Sequence, residues 1–385
     1  MLLGLVMEFA VRRLGVSLVL SCALLVGACA SRPENVFIAS GQSLPPGAAQ
    51  VDMLVATTRS PSSVPGEMFG GDRGGPAFAQ IAISIPPDHK TGEVEWPQQV
   101  PADPARSFAV IKADTLNRTS TLAKFQNRLA RGPTRNVLVF VHGFNNRFDD
   151  AVFRFAQIVH DSGTDDVPVL FTWPSAGKLL AYGYDRDSAT YSRDALERTL
   201  NYLIADKSVG EISILAHSMG NWVTLEALRQ MAIRNRSISP KIKNVMLADA
   251  DVDIDIFQTQ VAAMGVNRPA FTVFISDDDK ALAASKLLWS SKARLGDFDP
   301  NTEPYKTFME QNRIDIVNMT DIRTSGWIDH GKFSASPRII RQIGQQLASG
   351  QPLTDQRISP VESIHLATVG VVSHATGMNA SSTPR

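Results

Sequence analysis

Residues 212–220 read Ile-Ser-Ile-Leu-Ala-His-Ser-Met-Gly. The apolar run from Ile212 to Leu215 predicts a buried strand. Just beyond Gly220, Trp222, Leu225, Leu228 and Ala232 fall at helical spacing and predict a helix with an apolar face. A strand that turns at once into a helix crowds its own backbone, so the residues flanking the turn must be small. Ala216 and Gly220 meet that need, and the turn between them pushes the Ser218 hydroxyl outward above the sheet. The helix N-terminus behind it offers unpaired N–H groups to developing negative charge. Small-x-Ser-x-Gly is common by chance. The strand before it and the helix after it are what make Ser218 a candidate nucleophile.

The surroundings are those of a globular chain with a large core. The chain has 385 residues, 44% of them hydrophobic, which is long for one domain and short for three. Lys+Arg and Asp+Glu both number 38, so no net charge favours nucleic acid or an acidic surface. The few tryptophans and tyrosines are scattered and build no platform for stacking bases, so no nucleic-acid partner is expected.

The first 28 residues have the layout of a secretory signal. Arg12 and Arg13 precede an uncharged apolar stretch from Leu14 to Ala28, which ends in small residues. Leu25-Val26-Gly27-Ala28-Cys29 resembles a bacterial lipobox, in which cleavage before the cysteine exposes it for acylation. Met7 is a candidate true start, because the charged region normally lies nearer the first residue. Of the two cysteines, Cys22 falls inside the segment to be removed and Cys29 would carry the lipid. Acyl chains there would hold the protein at a membrane. The absence of aspartate just after Cys29 points to the outer membrane, facing the periplasm. Residues 29–50 carry Pro33, Pro45, Pro46 and Gly47 and read as a tether.

The folded domain is expected over 51–348. Val51–Thr57, Ala79–Ile85 and Phe108–Ala113 predict strands, with a Gly/Pro/Ser-rich loop at 60–76, and together form an antiparallel edge. The chain then alternates. Val137–Val141 is a strand buried on both faces. A helix striped by Phe148, Val152, Phe155 and Val159 follows, then a strand at Val169–Phe171 and a long helix over 185–206. After the central turn come strands at Val245–Ala248, Phe271–Ile275 and Ile314–Met319, and a last helix near 336–347. This alternation predicts a doubly wound, mostly parallel α/β sheet. Ligands of such sheets bind beyond the carboxyl ends of the strands. The tail from 349 reads as partly disordered.

A serine nucleophile needs a base, and the base needs an orienting acid. His330 lies past the last strand in Trp327-Ile328-Asp329-His330-Gly331, placed to reach over the turn. His217 should point away from the site, His142 should support its loop, and His160 lies in a helix. The acid should fall between serine and histidine. Asp277, Asp278 and Asp279 follow a strand end, and Asp279 is favoured because it opens the next helix; Asp251 competes from the preceding strand. The amides of Met219 and, past Gly143, Phe144 are the candidate oxyanion donors. Trp173 is either a pocket wall or packing, and residues 178–184 form a short cover or an ordinary loop. No His, Cys and Asp residues have ligand spacing in the sequence, so neither metal nor cofactor is expected.

Val-Phe-Val-His-Gly-Phe-Asn-Asn at 139–146, Thr-Trp-Pro-Ser at 172–175, Ala-His-Ser-Met-Gly at 216–220, Asp-Val-Asp at 251–253 and Asp-Lys-Ala-Leu-Ala at 279–283 together resemble the α/β-hydrolase family DUF900. The early Val-Ala-Thr-Thr-Arg and Ile-Pro-Pro-Asp-His-Lys-Thr-Gly-Glu-Val stretches are similar to its N-terminal β part. The resemblance covers about residues 50–348. It implies an α/β-hydrolase fold and an esterase- or lipase-like serine hydrolase acting on a small-molecule or lipid ester. It carries the nucleophile onto Ser218, the acid onto Asp279 and the base onto His330. Ala216 departs from the commoner glycine, and no substrate is implied. The competing expectation is an envelope lipoprotein that uses the same fold as a binding or scaffold module.

Overall fold

The computed structural model describes residues 34–279, 281–283, 285, 293–322 and 330–349. The signal segment with Cys22 and Cys29, the first residues of the expected tether, Lys280, Trp327–Asp329 and the tail from 350 lie outside them.

Each of the nine expected strands is present: β1 Ala49–Pro61, β2 Phe69–Ile85, β3 Ala109–Leu116, β4 Val137–Val141, β5 Val167–Thr172, β6 Ile212–His217, β7 Ile242–Ala248, β8 Ala270–Ile275 and β9 Ile314–Asn318. They form one sheet in the order β3-β2-β1-β5-β4-β6-β7-β8-β9. From β1 through β5 and β4 to β9 the pairing is parallel, while β2 runs antiparallel to both β1 and β3. The β-rich opening is the antiparallel edge that its alternating pattern predicts.

The helices whose bounds are described are α1 Arg118–Arg131, α2 Phe148–Ser162, α3 Tyr182–Ala205, α4 Gly220–Asn235, α5 Ile254–Met264, α6 Tyr305–Gln311, α7 Lys332–Ala335 and α8 Pro337–Ser349. The central strands feed two cores by simple alternation. Val137, Val139 and Val141 pack under α1, α3, α4 and α5. Leu138 and Phe140 pack on the opposite face under α2 and α8. A strand with helices on both sides has no solvent face, which is why β4 is apolar throughout. From β4 the chain steps to β5 on one side and then crosses back to β6 on the other. The crevice between the carboxyl ends of β4 and β6 is therefore the topological switch point.

Two expectations are corrected. Residues 60–76, rich in glycine and expected as a loop, form much of a long hairpin in which Arg59 pairs with Arg73 and Pro61 with Phe69. Glycine marks turns in a sequence, but a fully extended ladder accepts it as well. The expected tether at 29–50 packs from residue 36 onward. Val36 and Phe37 are buried, and Phe37 meets Phe148 edge-on at 5.2 Å.

Candidate active site

Ser218 sits at the end of β6 with φ +51°, in the left-handed region that non-glycine residues rarely occupy. Its own N–H donates to Ala248 O (2.9 Å), and its carbonyl accepts from Asn221 N–H (3.1 Å) and Asn221 Nδ2 (2.9 Å). The tightness expected of this turn is real. A Cβ on Gly220 would stand 2.4 Å from His142 O and 2.5 Å from Val141 O, so α4 can start here only with glycine. One expectation fails: Ser218 does not stand proud but is 4% exposed. The loop after β4 closes over it, with Gly143 so near that a Cβ there would come within 2.8 Å of Ser218 Cβ.

The structure brings Asp279 and His330 together. Asp279, just past β8, accepts from His330 Nδ1 at 2.7 Å through Oδ2 and receives the N–H groups of Ala281 (2.8 Å) and Leu282 (3.1 Å) on Oδ1. That bond leaves His330 Nε2 turned from the acid. Burial disfavours the imidazolium, but the Asp279 bond and charge, with Asp249 behind them, outweigh it and raise the His330 pKa to about 9. Ser218 Oγ makes no hydrogen bond with His330 or with any other described residue.

The other aspartates are otherwise engaged. Asp278 takes the buried Lys332 ammonium (2.6 Å) and stays below the usual carboxylate range, its bonds to Lys332 and Ser276 overcoming burial. Asp277 is exposed. Asp251 accepts from Tyr182 OH (2.7 Å) and Ser285 Oγ (2.8 Å). Asp249, assigned no role by the sequence, is fully buried at φ +45° and accepts the Gly331 N–H at 3.0 Å. Burial first, and the nearby Asp279 next, push it up to about 7.

His217 also departs from expectation. It lies against the His330 ring (centroids 4.8 Å) and the Phe333 ring (4.9 Å), and burial followed by the His330 charge holds it well below the ordinary histidine range. Ligand-capable atoms of His217, Asp249 and His330 fall within 4.8 Å of one another, as do those of His89, His160 and Asp161. Sequence spacing reveals neither group, because each joins separate elements. His142 supports its loop as predicted: Nδ1–H donates to Gly143 O (2.9 Å) and Nε2 accepts from Trp173 N–H (3.1 Å). Burial and the Arg59 charge lower it to about 3, so it is neutral.

The N–H groups of Phe144 and Met219 make no hydrogen bond among the described residues, and both lie beside Ser218 at the switch point. The loop that carries Phe144 is pinned from below. Asp185 accepts from Asn145 N–H (3.1 Å), Ala176 N–H (2.7 Å) and Ser175 Oγ. Arg59, buried at the end of β1, donates to Asn146 O (2.8 Å), Ser175 O (3.0 Å), Gly70 O (2.9 Å) and Thr172 Oγ1 (2.8 Å). Burial lowers its pKa to about 10, which leaves it charged. Sequence reasoning gave neither Arg59 nor Asp185 a role. The available signal for Arg59 was its place in the Val-Ala-Thr-Thr-Arg stretch.

A cavity of about 190 Å³ is lined by Met219, Tyr182, Arg186, Trp222, Asp251, Asp253, Ile256 and Arg294. Trp173 is not part of it. Its ring is fully buried and stacks on His142 (4.9 Å, 13°), so it is packing. Residues Leu179–Ala181 form a single 3₁₀ turn beside the cavity residue Tyr182, with Leu179 and Leu180 exposed.

This chain is similar to an uncharacterized protein of Nostoc sp. (alr1448), 25% identical over 148 residues covering 31% of this chain and 38% of that one. The chain thus spans under two-fifths of the curated relative it matches. Solved structures align loosely, each at TM-score 0.32. A Pyrobaculum calidifontis esterase is 13% identical over 78% of this chain and 84% of its own. The peroxisomal alpha-beta-hydrolase Lpx1 of Saccharomyces cerevisiae is 10% identical over 88% and 100%. A lipase-esterase related protein of Clostridium acetobutylicum is 10% identical over 57% and 96%. The family model described as alpha/beta hydrolase of unknown function (DUF900) matches residues 117–348, more than half of the chain. With that match and a doubly wound sheet carrying the serine turn at its switch point, the chain belongs to the DUF900 family of α/β hydrolases.

Proposed function

We propose that the protein is a serine hydrolase that cleaves carboxylic esters. The observation that carries this reading is the Asp279–His330 bond, at 2.7 Å, at the carboxyl edge of the sheet where Ser218 occupies a strained turn beside two amides that make no hydrogen bond among the described residues. Ser218 Oγ attacks the ester carbonyl while His330 Nε2 takes its proton. Asp279 holds the imidazole by Nδ1–H and balances the charge it gains. The N–H groups of Phe144 and Met219 receive the oxyanion. Collapse expels the alcohol, which His330 protonates, and water activated by the same imidazole releases the acyl group. The Ser218–His330 hydrogen bond forms with substrate in place, since such bonds are often long in a free enzyme and tighten in the complex. Ser218→Ala should abolish labelling by a fluorophosphonate probe and lower short-chain ester hydrolysis by about 10³-fold or more. Labelling retained in that variant refutes the assignment.

One observation favours a second reading, a binding or scaffold lipoprotein on the same fold: Ser218 is 4% exposed and lacks a bond to His330. A folded wild type inert to the probe would establish it. We further propose that Cys29 is acylated and holds the protein at the periplasmic face of the outer membrane, on the strength of the lipobox-like stretch. Blocking lipoprotein signal peptidase should leave a heavier precursor; normal maturation under the block overturns this.

A further inference from the structure

The cavity beside Met219 is lined by a buried guanidinium, Arg294, that pairs by charge with Asp251 but forms no hydrogen bond to it. Arg294 is 6% exposed, yet its side chain makes no hydrogen bond among the described residues. Among the described residues its ion-pair partner is Asp251, whose Oδ1 lies 3.4 Å from Nε without hydrogen-bonding geometry. Asp251 accepts from Tyr182 OH through Oδ2 and from Ser285 Oγ through Oδ1. The other acid at the cavity, Asp253, caps α5 by accepting the N–H of Asp255 (2.9 Å). At the mouth, Arg186 lies over the Trp222 ring, its Cζ 5.4 Å from the centroid, with no acidic partner. The formal charges around the cavity balance, but the hydrogen-bonding capacity does not. Both oxygens of Asp251 and Oδ1 of Asp253 accept from the protein, while the two guanidiniums make no hydrogen bond among the described residues. A buried charge with open donors is costly unless something accepts them, and the planar guanidinium fork matches a carboxylate through two parallel bonds.

We propose that this cavity receives a carboxylate carried on the acyl chain of the substrate, so that the preferred esters are half-esters of short dicarboxylic acids. The inference rests on the serine-hydrolase reading above and names its substrate class. The cavity shares Met219 with the candidate oxyanion site, so a group entering it is attached close to the scissile carbonyl. Its volume of about 190 Å³ exceeds the ~150 Å³ that accommodates a benzene ring. That admits a chain of a few methylenes ending in a carboxylate.

The test compares two 4-methylumbelliferyl esters of equal chain length, the pentanoate and the glutarate half-ester, using purified full-length protein in detergent. The wild type should favour the half-ester at least tenfold in kcat/KM, and Arg294→Lys and Arg186→Met should each cut that ratio at least fivefold. If Arg294→Lys does not fold, Arg186→Met carries the comparison, since its side chain lies exposed at the mouth. A ratio below ten in a wild type that still labels at Ser218, or a ratio unmoved in the folded variants, overturns this proposal and leaves the hydrolase reading standing. A folded wild type that neither labels nor turns over either ester overturns both.

Discussion

An imidazole bonded to one carboxylate and close to another gives up its proton reluctantly, and His330 is in that position. Burial opposes the imidazolium, but Asp279 and Asp249 win, and the value lies near 9 rather than at the ordinary ~6.5. A general base must be neutral to accept a proton. Hydrolysis of an uncharged ester should therefore climb with pH through 7 and 8 and level off only above about 9, read as kcat/KM across that range. Asp279→Asn removes both the bond and the charge. It should cut the rate by ~10³–10⁴-fold and move the ascending limb of the residual activity to lower pH. A limb that stays in place in the variant would show that Asp279 is not what holds the proton. Sequence order narrowed the acid to four aspartates. Which of them meets His330 was not legible, because all four follow strand ends and differ only in which neighbour each side chain meets.

The elements were legible wherever one period dominated. β4 reads as an uninterrupted apolar run and β6 as one broken only by Ser213 before His217, because helices cover both their faces, and α2 and α4 showed helical stripes. Helix α1 was not legible: it buries only Phe125 and Leu129, so its apolar stripe is nearly empty, and Asn117 and Ser120 fix its start through a reciprocal capping box. The hairpin of β1 and β2 was misread where glycines signalled a turn. The joint between β6 and α4 gives the sharpest test at this scale. Gly220→Ala places a methyl against the carbonyls of Val141 and His142, backbone atoms that cannot yield cheaply. Stability should drop by about 2 kcal/mol or more, measured as a lower urea midpoint with an unchanged slope.

Across the whole molecule, the connection between β2 and β3 is tied to α2 by a histidine between two acids. His89 Nδ1 lies 2.7 Å from Glu95 and Nε2 lies 2.8 Å from Asp161, which also accepts the Gly92 N–H at 2.7 Å. Both ring nitrogens must donate, so the ring is charged. Burial resists this, but the bonds to Asp161 and Glu95 raise its pKa above the ordinary value. A raised histidine stabilises fully below its unfolded value of ~6.5, and that contribution is lost as pH rises through the folded value. His330 contributes with the same sign, so the informative quantity is the difference between wild type and His89→Gln. The variant should lose roughly 1–3 kcal/mol at pH 6 and much less at pH 9 in urea titrations. A deficit equal at both pH values would mean that His89 acts by packing alone.

The sequence by itself determined the α/β layering, the nine strands, the antiparallel edge and the small-residue turn at Ser218. These are set by local periodicity and by steric limits that act between near neighbours in the chain. Tertiary structure alone decided that Asp279 meets His330, that Ser218 lies under the Gly143 loop, that Arg59 and Asp185 brace that loop, and that Arg294 lines a cavity beside Asp251. Each of these contacts joins residues tens to more than a hundred positions apart. Spacing along a chain carries no distance at that range; the folding of the sheet supplies it.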